Sequence, residues 1–263
     1  MDLGIEGRSA LVAASSRGLG RAVAEELAAA GTDLTLCARG EEDLLAAART
    51  IREEHGVAVE AVAADLSVPE EARGVVEAAR KAHGPVDILV TNTGGPPPGP
   101  FEEHGLEAWR SAYRGLLEGA VVLVRGVLPG MRERGWGRIL TITSIAVKQP
   151  VDGLVLSNSL RAAVTGMART LANEVAADGV TVNNLMPGYT RTERLESLAE
   201  EAAREEGIDP AEAYARWERE VPAGRLAEPR EFAALAAFLA SERAGYVTGT
   251  SIPVDGGWIR GLL

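Results

Sequence analysis

Cysteine and long apolar runs are scarce in this chain. A single cysteine, Cys37, occurs among the 263 residues, which excludes an internal disulfide and a zinc site made of cysteines. Its apolar neighbours predict a thiol buried in a strand. The sequence has no run of about 18 apolar residues to span a bilayer, and its first residues lack the pattern of a signal peptide. We therefore expect a cytoplasmic protein without a membrane-spanning segment.

Positive charge is also in short supply. The 27 lysines and arginines are outnumbered by 38 aspartates and glutamates, so the formal net charge is −11 at pH 7. Such a charge argues against nucleic acid or an anionic membrane as a partner. The three histidines fall at predicted helix ends or in loops, so we expect no histidine metal site: His55, His83 and His104.

Short apolar runs alternate with longer amphipathic segments along the whole chain. The predicted strands are Ala10–Ala14, Asp33–Ala38, Val57–Ala63, Val86–Thr91, Arg138–Thr143, Thr181–Met186 and Ser251–Val254. Helices are predicted near 19–30, 41–55, 70–83, 106–134, 154–177 and 229–240. Because no linker interrupts this alternation, we predict one α/β domain over 1–263, with a doubly wound, seven-stranded parallel sheet and helices on both faces. Ligands of such sheets bind at the carboxyl ends of the strands.

A serine- and glycine-containing turn follows the first predicted strand and opens the first helix. Small residues there let backbone N–H groups approach a pyrophosphate, and the helix N-terminus favours its negative charge. A glycine pair alone is a weak signal, but its position between strand and helix strengthens it. The residues predicted to form this turn are Ser15, Ser16, Arg17, Gly18, Leu19 and Gly20.

Further motifs follow the later strands. They are Asn92-Thr93-Gly94-Gly95, Thr141-Ile142-Thr143-Ser144, Pro187-Gly188-Tyr189-Thr190-Arg191-Thr192 and Val254-Asp255-Gly256-Gly257. In this order and spacing, over nearly all 263 residues, the chain resembles the short-chain dehydrogenase/reductase family, and looks most like its 3-oxoacyl-carrier-protein-reductase-like members. The resemblance implies a Rossmann-type fold, a nicotinamide cofactor, a small carbonyl or alcohol substrate, and a homodimer or homotetramer paired through the helices at 106–134 and 154–177.

The same resemblance assigns the remaining cofactor contacts. It implies that Asp65 and Leu66 contact the adenine and that Asn92 and Gly94 line a ribose. Pro187, Gly188 and Thr190 would border the nicotinamide. Asp65 has an alternative role, as the cap of the helix that begins at Pro69.

The end of the second strand indicates which nicotinamide cofactor is used. It reads Ala38-Arg39, with no carboxylate until Glu41 to accept hydrogen bonds from a ribose 2′-hydroxyl. Arg17 and Arg39 are suited to gripping a 2′-phosphate, so we predict NADP(H). The alternative is that both arginines are solvated surface residues. Ala14 stands where the family has its first glycine, which a tight turn tolerates if φ stays negative there.

The catalytic positions depart from the family pattern. The family uses a tyrosine and a lysine one helical turn apart, a serine that orients the substrate oxygen, and an asparagine that supports a water relay. The serine is retained as Ser144, but its partners at the family's usual spacing are Ser157, Arg161 and, in place of the asparagine, Leu116.

These replacements change the available chemistry. A serine hydroxyl is a far weaker acid than a phenol, and arginine stays protonated, so it supplies fixed charge but no proton. Ser144 either faces the substrate or is an inert strand-end hydroxyl. Ser157 and Arg161 share one helix face and are either a working site or an inert surface. Tyr189, Tyr113 and Lys148 are alternative proton donors, with packing or surface positions as the plainer interpretation.

Three functional hypotheses follow. The first is an NADP(H)-dependent oxidoreductase with a rewired proton donor. The second is a catalytically inactive NADP(H)-binding sensor or assembly protein. The third is a non-redox isomerase or dehydratase that uses Arg161 as an electrostatic clamp. The Glu/Ala/Arg-rich segment at about 192–222 is predicted to be a helical lid over the substrate, or else a solvated helical pair.

Overall fold

Seven parallel strands form one sheet in the computed structural model, which describes residues 2–262 except for the side chain of Glu205. The predicted domain 1–263 therefore extends one residue beyond the described range at each end. The strands are β1 Ser9–Ala13, β2 Asp33–Ala38, β3 Val59–Ala63, β4 Ile88–Thr91, β5 Gly137–Ile142, β6 Val180–Pro187 and β7 Ser251–Val254. Their order in the sheet is β3-β2-β1-β4-β5-β6-β7. The chain adds strands outward on one side from β1 to β3 and then on the other side from β4 to β7, so the switch point lies between β1 and β4. The doubly wound prediction is confirmed.

Nine α-helices lie between the strands in the described part of the chain. They are α1 Gly18–Ala29, α2 Glu41–His55, α3 Pro69–His83, α4 Leu106–Tyr113, α5 Gly119–Arg134, α6 Val155–Val175, α7 Glu193–Glu206, α8 Pro210–Glu220 and α9 Pro229–Ala240. Helices α1, α2 and α9 pack on one face of the sheet, and α3, α5 and α6 on the other. Among residues 2–262, no helix is both long enough and apolar enough to cross a membrane.

Helices cover both faces of the sheet, so its central strands are buried along their whole length. Every residue of β1 and β4 is buried, as expected for central strands of a parallel sheet between two helical layers. Cys37, in β2, is a buried free thiol as predicted, and its burial together with the charges of Glu71 and Asp65 raises its pKa to about 12. The thiol therefore stays protonated and serves as a packing group.

One predicted helix is interrupted. The sequence predicts a continuous helix over 106–134, but a π-helical turn, Arg114–Glu118, separates α4 from α5. The turn accommodates one extra residue. It is followed by Gly119, which lies against the loop between β3 and α3: a Cβ added to Gly119 would be 2.5 Å from the Leu66 carbonyl oxygen. Leu116 is buried in this turn. The hydrophobic period continues through a π-turn with little change, so it could not reveal the interruption.

Candidate active site

The turn between β1 and α1 is shaped for close approach of a ligand. Gly18 has a left-handed φ of 58°, and an added Cβ on Gly20 would lie 2.1 Å from the Ala14 carbonyl oxygen. The backbone at Arg17, the N-cap, is extended, and no side chain caps the first N–H groups of α1. With no acidic residue in its first turn, this helix end offers free donors and a positive dipole to an anion.

The serines and the leucine of this turn have different tasks. Ser15 is fully buried: its hydroxyl donates to the Val12 carbonyl at 2.8 Å, and its backbone N–H donates to the Cys37 carbonyl. The sequence predicts a cofactor contact for Ser15, but these bonds use its donors within the protein, so it shapes the turn. Leu19 packs toward the core. A crevice lies at the carboxyl edge of the sheet, where the strand order switches between β1 and β4. Ser16 is half-buried and Arg17 is exposed, which leaves both accessible from this crevice.

Ala14 adopts a conformation that the sequence did not lead us to expect. Alanine fits such a turn without strain only if φ is negative, but φ is +51°, the left-handed region that side chains with a Cβ avoid. The strand consequently ends at Ala13 rather than Ala14. The backbone must reverse here so that Ser15 can bond to β2 and Gly20 can pass close to the Ala14 carbonyl. The turn therefore has the geometry of a glycine position, although alanine occupies it.

We expect Ala14→Gly to stabilise the protein. The left-handed conformation costs a non-glycine residue about 1–2 kcal/mol, and glycine's extra chain entropy offsets about 0.5–1 kcal/mol of that. Urea unfolding should show a gain of up to about 1 kcal/mol. Ala13→Gly is the control, because Ala13 has ordinary strand geometry and should lose stability. A loss of stability in Ala14→Gly would contradict the argument.

The ends of β2 and β3 lie side by side. Arg39 is exposed after β2, and its charge acts on Asp65 after β3. Although partial burial raises the pKa of Asp65, hydrogen bonds from Ser67 and the charge of Arg39 bring it below its ordinary value overall. The Asp65 carboxylate accepts from the Ser67 N–H at 2.9 Å, whereas the N-cap of α3 is Val68 and has no side-chain cap. The alternative role of Asp65 as the cap of that helix is wrong.

The ends of β4 and β6 close the other side of the crevice. Asn92 and Leu66 line a small cavity of about 10 Å³, roughly the space for one water, and Gly94 is exposed with open space around its Cα. Pro187 ends β6, and an added Cβ on Gly188 would lie 2.7 Å from the Asp255 Cα. The buried Thr190 hydroxyl donates to the Gly188 carbonyl at 3.2 Å.

The three predicted catalytic residues meet at the end of β5. Arg161, on α6, is only 9% exposed, and its Nη1 donates to the carbonyls of Ile142 at 3.1 Å and Thr143 at 2.9 Å. Its Nε donates to the Ser157 Oγ at 3.2 Å. Ser144 follows Thr143 directly, and its Oγ accepts from the Ala146 N–H at 3.1 Å. The guanidinium is therefore fixed beside Ser157 and against the backbone that leads into Ser144.

Burial makes Arg161 an unusual cation. Loss of hydration, followed by the charge of Arg194, lowers its pKa to about 10, which still leaves it protonated at neutral pH. Leu116 lines the same cavity as Arg161 and Asn92. A fixed positive charge thus lies against an apolar wall, where its effect on a nearby oxyanion is strong.

A second layer of polar residues supports the end of β5. The Thr141 and Thr143 hydroxyls both donate to the Asn184 Oδ1 of β6, at 3.0 and 2.8 Å. The Asn184 amide in turn donates to the Thr165 hydroxyl on α6 at 3.1 Å. This network joins β5, β6 and α6, and so holds the carbonyls and the helix that position Arg161. The sequence analysis missed it, because the contacts join residues about 20 to 40 positions apart.

The segment from Thr192 crosses the crevice. Thr192 caps α7, and its methyl carbon lies 3.6 Å from where a Gly18 Cβ would be. Two residues later, Arg194 Nη2 donates to the Pro96 carbonyl at 3.1 Å, on the loop after β4. The start of α7 therefore touches both sides of the crevice. The sequence analysis did not single out Arg194, although a cation in a helix's first turn opposes the helix dipole and could have been a signal.

The three alternative proton donors lie in different surroundings. Tyr189 stacks on Trp217 with ring centroids 5.2 Å apart and meets Trp258 edge-on at 5.9 Å. Burial, with the charge of Glu220, raises the pKa of Tyr189 to about 12, so it is a weaker acid than a free tyrosine. Tyr113 and Lys148 are exposed.

Tyr189→Phe should therefore keep turnover close to that of the unmodified protein, since phenylalanine retains the stacked ring. A general acid contributes about 10²–10⁴-fold, so a loss of that size at an unchanged melting temperature would instead assign the proton to Tyr189. Steady-state kinetics and thermal unfolding measure the two quantities. Tyr189→Ala is the comparison for packing and should lower the melting temperature.

Comparison with known proteins identifies the family. A family model described as enoyl-(acyl carrier protein) reductase matches residues 13–259. Acetoacetyl-CoA reductase of Shinella zoogloeoides is 34% identical over 250 residues, which are 95% of this chain and 98% of that protein. The 3-oxoacyl-(acyl-carrier-protein) reductase of Aquifex aeolicus is 31% identical over 257 residues, 98% of this chain and 99% of its own. The chain belongs to the short-chain dehydrogenase/reductase family.

A solved structure of this family superposes over the full length. L-sorbose reductase from Gluconobacter frateurii, crystallised with NADPH and L-sorbose, is 38% identical, with a TM-score of 0.95 and complete coverage of both chains. The family and the fold predicted from the sequence are confirmed. Among the described residues of this short-chain dehydrogenase/reductase, no group of three His, Cys, Asp or Glu side chains is placed to hold a metal ion.

Proposed function

We propose that the protein is an NADP(H)-dependent oxidoreductase that interconverts a small carbonyl compound and its alcohol through an atypical active site of Ser144, Ser157 and Arg161. The observation that carries this proposal is the fixation of the Arg161 guanidinium by the last carbonyls of β5 and by Ser157. It supports an ordered Ser–Arg pair at the positions where the family has tyrosine and lysine.

The crevice fits the nucleotide. The glycine turn is suited to a pyrophosphate, because Gly20 lets α1 start close to the Ala14 carbonyl and the first N–H groups of α1 have no side-chain cap. Arg17 and Arg39 are both exposed beside the place of the adenosine ribose, where NADP(H) carries its extra phosphate. The remaining predicted contacts, Asp65, Leu66, Asn92, Gly94, Pro187, Gly188 and Thr190, follow neighbouring strands of the same sheet edge. When bound, the nicotinamide supplies or accepts the hydride.

The two serines and Arg161 divide the proton chemistry. Ser157 Oγ accepts from Arg161 Nε, so its own O–H is free to donate to the oxygen that becomes the alcohol. Arg161 stabilises negative charge on both that oxygen and the serine. Ser144 Oγ accepts from the Ala146 N–H and keeps its O–H to orient the substrate oxygen. Solvent restores the proton that Ser157 gives up.

A carbonyl panel with three serine variants tests the proposal. Ser144→Ala and Ser157→Ala should each lower kcat by about 10²-fold or more, with an unchanged Kd for NADPH. Ser159→Ala is the matched control, because Ser159 is exposed on the outer side of the same helix. Absence of NADPH oxidation with every carbonyl, or unchanged turnover in both active-site variants, would overturn the proposal.

The cofactor preference has its own test. Removal of the exposed Arg39 side chain in Arg39→Ala should lower the preference for NADPH over NADH by about 10-fold, the size of one charge-assisted hydrogen bond. The ratio of kcat/KM for the two cofactors measures it. Arg49→Ala is the control, since Arg49 lies on the exposed face of α2. An unchanged ratio in Arg39→Ala would return Arg39 to the role of a solvated surface residue.

A cofactor-binding sensor without turnover is the second candidate. It is favoured by the environment of Tyr189, where burial and the charge of Glu220 raise the pKa to about 12 and so weaken this alternative acid. The same experiment separates the two functions. A sensor binds NADPH with normal affinity but does not oxidise it, whichever carbonyl substrate is added.

We also propose that α7 and α8 form a lid and that the protein is a homodimer or homotetramer. The lid is supported by the contacts of Thr192 with the glycine turn and of Arg194 with the loop after β4.

The assembly is supported by the surface of α6. The small exposed residues Ala162, Ala163 and Gly166 on α6 allow a second copy to approach closely. Light scattering that gives a monomer would contradict the assembly. The cytoplasmic location stays a prediction.

A further inference from the structure

Two arginines near the carboxyl edge of the sheet have no carboxylate partner among the described residues. Arg161 is on the floor, in α6, and Arg194 is on the covering helix α7. The ion pairs formed by the described residues involve neither of them, although sixteen such contacts occur elsewhere on the protein. These two guanidinium groups are thus unneutralised by a direct ion pair with any described residue in a molecule whose net charge is −11, although the Glu193 carboxylate lies near Gly18 at the glycine turn.

The hydrogen bonds of Arg161 leave one side of its guanidinium unused. Nε and Nη1 donate to Ser157 and to the two β5 carbonyls, but in the described structure no hydrogen bond uses Nη2. Arg161 is buried and lines the cavity beside Asn92. Nη2 is not among the fully buried atoms that lack a partner, so it remains open to an acceptor that enters from the cavity side.

Arg194 holds its position against several unfavourable forces. It occupies the first turn of α7, where the helix dipole repels a cation. Burial lowers its pKa, and Arg161 and Arg194 repel each other. Glu201 acts on Arg194 from two turns away but makes no ion pair with it. Only one hydrogen bond of its guanidinium, to the neutral Pro96 carbonyl, is formed within the described residues.

The direction of Arg194 distinguishes substrate from cofactor. The nucleotide phosphates belong at Gly18, which the methyl of Thr192 contacts. Arg194 instead lies against Gly95, where a Cβ would come within 2.8 Å of its guanidinium, on the loop that follows β4. Arg194 therefore contacts the loop after β4.

We propose that the substrate is an oxo acid, or the corresponding hydroxy acid, whose carboxylate binds Arg194 of the lid in the field of the fixed Arg161, while its carbonyl faces Ser144 and Ser157. Arginine is suited to this because its planar fork binds a carboxylate through two parallel hydrogen bonds. This inference rests on the proposed function for the type of reaction; what is new is that the substrate carries a negative charge. The carboxylate offsets the repulsion between the two arginines.

Binding and turnover are to be measured separately on the full-length protein. The probes are pyruvate and acetoacetate, each compared with its neutral methyl ester. Calorimetry on the protein–NADP⁺ complex measures binding, and NADPH oxidation measures turnover. We expect each acid to bind and react at least about 10-fold better than its ester. Arg194→Gln should lower both values for the acids by about 10- to 100-fold and leave those for the esters and the Kd for NADPH unchanged.

Arg204→Gln is the matched control, since Arg204 is exposed in the last turn of the same helix. Equal binding of acids and esters would overturn the inference. So would an Arg194→Gln variant whose loss appears in the Kd for NADPH, because Arg194 would then serve the cofactor. Selective binding of the acids without NADPH oxidation would support the anion site and count against the proposed reductase activity, so the two failures are distinguishable.

Discussion

Arg161→Met is expected to lower kcat by about 10²–10³-fold while it lowers the free energy of unfolding by only about 1 kcal/mol or less. The loss of turnover follows because methionine keeps the length of the side chain but removes the fixed charge beside Ser144 and Ser157. Stability changes little because two effects oppose each other. The Ile142 and Thr143 carbonyls lose their donor, but an unpaired buried cation is also removed.

Kinetics and urea unfolding of the same preparations test this separation. Arg161→Lys keeps a positive charge but cannot donate to two carbonyls and Ser157 together. Its kcat should therefore fall between that of the unmodified protein and that of Arg161→Met. Arg169→Met is the control, since Arg169 is exposed two turns further along α6. A large loss of stability in Arg161→Met would mean that the arginine holds the fold, and full turnover would exclude it from the active site.

Gly20→Ala is expected to weaken NADPH binding by about 100-fold and to lower the free energy of unfolding by about 1–3 kcal/mol. The new methyl group would lie 2.1 Å from the Ala14 carbonyl oxygen and 3.0 Å from that of Ala13. Both are backbone atoms, so the turn has to move away from α1. The N–H groups that approach the pyrophosphate then lose their alignment.

Gly74→Ala provides the opposite result for the same chemical change. Gly74 is also helical, in α3, but an added Cβ meets no atom within 4 Å. Alanine is a better helix former there, so stability should rise by about 0.5–1 kcal/mol with unchanged NADPH affinity. Calorimetric titration with NADPH and urea unfolding measure both variants. Normal affinity in Gly20→Ala would contradict the proposed position of the pyrophosphate.

Local patterns predicted most of the fold. The bounds of β2, α2, α9 and β7 agree with the sequence to the residue, because each begins and ends at a local signal such as Gly40, Gly56 or Pro229. The π-turn at Arg114–Glu118 escaped prediction, since it preserves the pattern of apolar residues. The sign of φ at Ala14 escaped as well, because it is set by bonds between β1 and β2.

The candidate site divides in the same way. The sequence placed Ser144, Ser157 and Arg161 near one another, since the spacing along β5 and α6 determines which strand end and helix face they occupy. It could not show that Arg161 would bond to the backbone of β5, because a long side chain has many rotamers and only packing selects one. Arg194 lies in a helix about 100 residues from the loop it contacts, and no local pattern links the two.

By itself, then, the sequence determined the doubly wound sheet, the glycine turn and the identity of the residues at its carboxyl edge, because periodicity and spacing act over a few residues. Only the tertiary structure decided what those residues touch. It buried Arg161 under three acceptors, packed Tyr189 against tryptophans and brought Arg194 across the crevice. Burial and charge pairing depend on distant parts of the chain, and they are what set the chemistry of this site.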